Sequence, residues 1–128
     1  MNIPEDCKHK DKFEKDCCEI IWSGTIVEHD GCVTNSGCDL VTYDDERIFF
    51  IEIKGGNISS SDADKIIDQI EKCETWYGNF ISHRKKSRLF IRCVNSKRRR
   101  LDPYARIKLK NARIRMYDCK RLLDLENL

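Results

Sequence analysis

The segment Gly37–Gly56 does most to restrict what this chain can fold into. Leu40 to Tyr43 is a short run of strand formers, Asp44-Asp45-Glu46-Arg47 is a polar turn, and Ile48 to Ile53 is almost continuously apolar. Two such runs joined by a short polar loop predict a β-hairpin. A strand with apolar residues at successive positions expects cover on both faces, as in a sheet packed between other layers. Glu52 and Lys54 interrupt that pattern, because a charge there is costly without a partner.

The hairpin register gives the interruption chemical meaning. Pairing Tyr43 with Ile48 places Asp39 directly opposite Glu52, and directly opposed side chains have Cβ atoms about 4.5–5.5 Å apart. Two carboxylates at that separation need a cation between them, or one must hold a proton. Lys54 projects to the same side as Glu52, roughly 6–7 Å farther along the strand. Two acids and a lysine converging on one strand end suit a divalent metal, a phosphate and an activated water.

Asp39, a twelve-residue gap and then Glu52-Ile53-Lys54 resembles the core motif of the PD-(D/E)XK nuclease superfamily. The proline that usually precedes the aspartate is replaced by Cys38. The resemblance spans roughly Phe13 to Val94, and beyond it only element order agrees. It implies an α/β protein with the restriction-endonuclease-like α/β/α sandwich, built on a central mixed sheet of about five strands. It also implies a metal-dependent endonuclease using Mg²⁺, with Mn²⁺ able to substitute. The implied metal ligands are Asp39, Glu52 and the Ile53 carbonyl, with Lys54 orienting water or balancing charge. Such enzymes often add an acid from a first helix; Glu14 best resembles it, with Glu19 in reserve. Gln69, within Gln69-Ile70-Glu71, resembles the glutamine that several branches carry on the helix after the motif. Within the superfamily the chain looks most similar to archaeal Holliday-junction resolvases, which act as homodimers. A restriction- or repair-type nuclease, an RNA-directed nuclease and a non-catalytic nucleic-acid-binding module on the same fold are the alternatives.

The remaining elements follow from periodicity. Phe13, Cys17, Ile20 and Ile21 suggest a helix from Cys7 to Trp22, ended by Gly24, with a first strand at Thr25–Glu28. Ala63, Ile66, Ile67, Ile70, Cys73, Trp76 and Tyr77 trace one stripe and predict a helix from Asp62 to Tyr77, with Ser59–Ser61 offering caps. Arg88–Val94 reads as a strand, Asp102–Lys110 as a helix opened by Pro103, Arg113–Tyr117 as a strand and Cys119–Leu125 as a closing helix.

Charge separates along the chain. Residues 1–64 carry 6 Lys/Arg and 15 Asp/Glu, and residues 65–128 carry 18 and 7, within a formal net charge of +2. The acidic half holds the metal-site candidates. The basic half holds Arg84, Lys85 and Lys86 before one strand and Lys97, Arg98, Arg99 and Arg100 after it, candidates for phosphate contact. These clusters could lie at opposite sheet ends or fold toward one groove. Ser36, in the polar loop entering Asp39, is a further nucleic-acid contact candidate. His83 is given no catalytic role.

A length of 128 residues suits a single domain. No apolar run is long enough to span a bilayer, and the N-terminal residues lack a signal-peptide pattern, so a cytoplasmic protein with no membrane partner is expected. The eight cysteines show no Cys-x-x-Cys pairs, which argues against a zinc ribbon. Cys7 and His9 with Cys17 or Cys18 offer only weak zinc spacing, and the late cysteines of an iron–sulfur nuclease are missing. Cys73 and Cys93 read as buried core residues. Disulfides would be unusual in a cytosol, except in a hyperthermophile.

Overall fold

The computed structural model describes residues 2–95 and 97–128. Seven strands and two α-helices form a mixed α/β protein: β1 (Lys8–Lys15), β2 (Cys18–Glu28), β3 (Leu40–Tyr43), β4 (Arg47–Lys54), α1 (Ser60–Tyr77), β5 (Lys85–Cys93), α2 (Pro103–Asn111), β6 (Ile114–Cys119) and β7 (Leu122–Asp124). The sheet runs β1-β2-β3-β4-β5-β6, with β7 pairing to β2, and so exceeds the expected five strands. β1 to β4 pair antiparallel, whereas β4, β5 and β6 are parallel. The parallel half needs crossovers, and α1 and α2 supply them.

The central hairpin forms in the expected register, with Tyr43 opposite Ile48 and Leu40 opposite Ile51. Alternation then splits β4 between two cores. Ile48 and Phe50 face α1 and α2, joining Val41, Phe90, Ile66, Ile70 and Leu109. Phe49, Ile51 and Ile53 face the other way, against Cys18, Ile20, Trp22, Leu89 and Ile91. Both helices thus cover one face of the sheet.

The second face is covered differently from expectation. Cys7–Trp22 is not a helix: most of it forms the β1–β2 hairpin, turning at Asp16 with φ 54°. Cys18, Ile20 and Trp22 are fully buried at every second position while the residues between are partly exposed, which is strand periodicity. The 3–4 spacing of Phe13, Cys17 and Ile20 coincides with this period-2 pattern over too short a stretch to separate them. The first half of β2 pairs with β7 and its second half with β3. Gly24 lies between the halves, where a Cβ would stand 2.3 Å from the Tyr43 carbonyl oxygen and 2.6 Å from Trp22 Nε1. Trp22 Nε1 donates to that same carbonyl at 3.1 Å, so only glycine admits the crossing. The expected closing helix Cys119–Leu125 is instead the end of β6, then β7 and a 3₁₀ turn at Leu125–Asn127.

Both α-helices are where the sequence places them. Ser59 caps α1 in a capping box with Asp62, and Gly78 ends it at φ 41°. Asp102 caps α2 by accepting from the Tyr104 N–H, with Pro103 in the first turn.

All eight cysteines form disulfides: Cys7–Cys32, Cys17–Cys93, Cys18–Cys119 and Cys38–Cys73. The reading of Cys73 and Cys93 as plain core residues is therefore corrected, although both are buried. Cys93 and Cys119 face each other across β5 and β6. The adjacent Cys17 and Cys18 reach one each, and so tie the β1–β2 turn to the C-terminal ends of the parallel strands.

Candidate functional site

The acid pair lies where β3 has ended and β4 continues. The last β3–β4 backbone pair is Leu40 with Ile51. One step beyond, Asp39 N–H donates to Glu52 Oε1 at 3.0 Å and Ile53 N–H donates to Asp39 Oδ2 at 2.8 Å. Each carboxylate is thus fixed by backbone of the opposite strand. N–H and C=O of one residue leave a strand on the same side, so the Ile53 carbonyl also faces the edge that Asp39 occupies.

Both side chains are half-buried, and Glu52, two residues after Phe50, lies on the α1 face. Burial, and then the charge of Asp39, push the Glu52 carboxyl up to about 9. Burial also raises Asp39, opposed by the Ile53 N–H and by Lys15. The pair titrates as a unit and keeps a proton at neutral pH, with Glu52 as its holder. Hard carboxylate oxygens that otherwise share a proton fit a divalent cation such as Mg²⁺, whose charge would displace it.

Lys54 projects to the same face, beyond the pair, with its Nζ 3.9 Å from Asp62 Oδ1 on the first turn of α1. Gln69 does not point a free amide at the pair. Its Oε1 accepts the Gly37 N–H at 2.8 Å and braces the loop that delivers Asp39. The Cys38–Cys73 disulfide fastens the same loop to α1. Gly37 has φ 102°, and a Cβ there would be 3.0 Å from the His29 ring.

Glu14 belongs to no first helix. It is exposed on the edge strand β1, opposite Glu19, and among the described residues no hydrogen bond or ion pair joins it to Asp39 or Glu52. No cluster of three or more His, Cys, Asp or Glu side chains suited to a metal occurs among the described residues. The oxygen donors gathered here are the carboxylates of Asp39 and Glu52, with the Ile53 carbonyl on the same side of β4.

The two basic clusters separate. Arg84, Lys85 and Lys86 lie at the N-terminal end of β5, where Lys85 pairs with Arg47. The acid pair lies at the C-terminal end of β4, where Lys54 pairs with Arg92. Arg84 bonds the carbonyls of Asp44 and Phe80 and stacks 4.3 Å over the Phe80 ring, and Lys86 pairs with Glu74. Lys97, Arg98, Arg99 and Arg100 follow β5 at the acid-pair end. There Arg99 donates to the Val94 carbonyl, and the Arg100 N–H donates to Asn57 just before α1. Ser36 is exposed beside Gly37.

Sequence reasoning missed His29 and Asp30. The His29 N–H donates to the Asp39 carbonyl at 3.0 Å, so β2 backbone supports Asp39 from the other side. The His29 ring is buried, with Nδ1 3.2 Å from the Tyr77 hydroxyl and Nε2 3.0 Å from Thr34 Oγ1, and burial lowers its pKa. The charge of Asp30 adds to the upward pressure on Glu52. The missing signal was the β2–β3 register, which nothing in the Glu28–Gly37 loop marks.

No family model matches the chain, and no curated protein or solved structure matches it either. Fold and site together define a disulfide-stapled mixed α/β protein with a paired-carboxylate centre at a parallel-strand end. Its function is argued from that centre.

Proposed function

We propose that this protein is a divalent-metal-dependent endonuclease that hydrolyses DNA phosphodiester bonds. The observation that carries the reading is the Asp39–Glu52 pair, two carboxylates locked by each other's strands with Lys54 on the same face. Asp39, Glu52 and the Ile53 carbonyl would hold Mg²⁺ or Mn²⁺. Such an ion, when bound, neutralises phosphate charge and acidifies water at neutral pH. The backbone N–H groups of Asp39 and Ile53 hold one oxygen of each carboxylate and leave the other oxygen of each as the donor to the ion. Lys54 leaves β4 on the same face as Glu52 with its Nζ 3.9 Å from Asp62 Oδ1, and in the proposal it orients the water or balances charge on the phosphoryl oxygens. Gln69 acts through Gly37, as a positioning residue for Asp39. By the resemblance, the products are a 5′-phosphate and a 3′-hydroxyl.

The run β2-β3-β4-α1-β5 fits the core order of the PD-(D/E)XK fold and supports the restriction-endonuclease-like reading, although both α-helices cover one face and strands cover the other. A hairpin stands in place of the first helix, and Glu14 leaves the metal set with it. By the same resemblance to archaeal Holliday-junction resolvases, the specific form of the proposal is a homodimer acting on four-way junctions. No helix among the described residues is long and apolar enough to cross a membrane. Four disulfides favour an oxidising compartment, or a hyperthermophilic cytoplasm, over an ordinary reducing cytosol.

The test is cleavage of a labelled four-way junction and a matched linear duplex with Mg²⁺, Mn²⁺ or EDTA, beside Asp39→Ala. Symmetric nicking of the junction alone is expected, lost in EDTA and reduced about 10²-fold or more by the substitution. Cutting of both substrates would keep the nuclease and remove the junction specificity. DNA binding without cutting in either metal would replace the nuclease with a binding module.

A further inference from the structure

The basic half of the chain builds a groove of about 430 Å³ at the sheet end remote from the acid pair. It is lined by Lys85, Lys86, Ser87, Arg88, Arg113 and Arg115. It arises because β5 begins three residues before β6 reaches it: the first β5–β6 pair is Arg88 with Ile114, so Lys85 to Ser87 have no β6 partner. Arg113, at φ 59°, turns the chain from α2 into β6 at the groove's rim. Five of the six lining residues are cationic. Glu74 is the one carboxylate in ion-pair contact with them among the described residues, bound to Lys86 at 2.7 Å and to Arg88 Nε at 3.0 Å. Arg88 is also tied to the Ala112 carbonyl and is structural. Lys85, Arg113 and Arg115 are exposed with no carboxylate within 4 Å among the described residues. Arg115 is steadied by Ser87 Oγ at 3.4 Å and by stacking over Tyr117. Like charges brought together without counter-charge cost stability, and a ligand of opposite sign recovers it.

We infer that this groove is a second nucleic-acid backbone site, in which Lys85, Arg113 and Arg115 contact phosphates. Seven residues of strand separate Lys85 from Arg92, and so from Lys54, which is roughly 23 Å at 3.3 Å per residue. A phosphate bound in the groove is therefore not the one cleaved. The groove holds a flanking stretch or a second arm of the nucleic acid, and Lys97–Arg100 serves the acid-pair end. The inference takes from the proposed function only that the partner is nucleic acid, and needs no catalysis.

The experiment measures binding of a labelled 30-base-pair duplex to the full chain in EDTA by fluorescence anisotropy across a salt series. Lys85→Glu, Arg113→Glu and Arg115→Glu are combined in one variant. A control variant makes the same charge change at exposed Lys10, Lys12 and Arg121. Each phosphate contact contributes about 0.9 to the slope of log affinity against log salt, so the groove variant should lose about 2–3 from that slope. The control should lose much less, and both should melt like the native chain. Equal losses in the two variants, or an unchanged slope in the groove variant, would overturn the inference. So would native protein that fails to bind DNA but binds another polyanion such as heparin through the groove. Because metal is absent throughout, failure to cut DNA leaves this result intact, and failure of the groove leaves the nuclease reading intact.

Discussion

Glu52 is the residue on which the proposed chemistry turns, and its environment has a consequence measurable without any substrate. Its carboxyl is raised to about 9 by burial and by Asp39, whereas in the unfolded chain it titrates near 4.5. Between those values the folded protein holds a proton that the unfolded chain has released. Stability of the metal-free protein therefore falls as pH rises across that window, by at most about 1.4 kcal/mol per pH unit for one group. Glu52→Gln removes the ionisation and should flatten the slope, and Mg²⁺ should restore native stability at high pH by replacing the proton. Denaturant melts from pH 5 to 9, with and without Mg²⁺, read this directly. A native protein whose stability rises through that range would contradict the shared proton. Much of this was legible in the chain: the hairpin register alone puts Asp39 opposite Glu52. Of the supports, Gln69 was singled out by resemblance although its bracing of Gly37 was not, and His29 and Asp30 were not legible, because they meet the pair only through the β2–β3 packing.

At the scale of elements, the sheet's second face depends on β2 crossing it, and the crossing depends on Gly24. An alanine there would drive its Cβ into the Tyr43 carbonyl and displace the Trp22 indole that hydrogen-bonds it. Trp22 is fully buried and meets the Phe49 ring edge-on at 5.2 Å. Gly24→Ala should therefore cost about 1–3 kcal/mol, the usual range for forcing extra volume into a packed site. Chemical denaturation measures it, and a change below a few tenths would mean that β2 can shift freely. The helices were legible because stripe and cap agree, as in Ser59 and the Ala63–Tyr77 stripe. The β1–β2 hairpin was not, because Phe13, Cys17 and Ile20 fit helix spacing while Cys18, Ile20 and Trp22 fit strand spacing. Which pattern wins depends on the surface available, and a bare sheet face accepts a strand pair as readily as a helix.

For the whole molecule, the disulfides join parts that are remote in sequence, with separations of 76 residues for Cys17–Cys93 and 101 for Cys18–Cys119. Closing such long loops restricts the unfolded chain, and each bridge contributes about 2–4 kcal/mol. Full reduction should lower the melting midpoint by tens of degrees. A thermal melt with and without reductant, with thiols counted by mass after alkylation, tests this. An unchanged midpoint after complete reduction would show that packing alone holds the β1–β2 turn against β5 and β6. The same scale separates the basic residues: β5 carries one cluster to each end of the sheet, so under the proposed function they would meet different parts of a nucleic acid.

The sequence by itself determined the local elements whose signals are self-contained: the central hairpin and its register, the two capped helices, and the strands that follow them. It also determined the pairing of Asp39 with Glu52, because register follows from the turn and the pleat. Only the tertiary structure decided how the second face is covered, which cysteines join, where the basic clusters fall and what braces the acid pair. Those outcomes depend on contacts between residues tens of positions apart, and no local periodicity records which distant surface a segment meets.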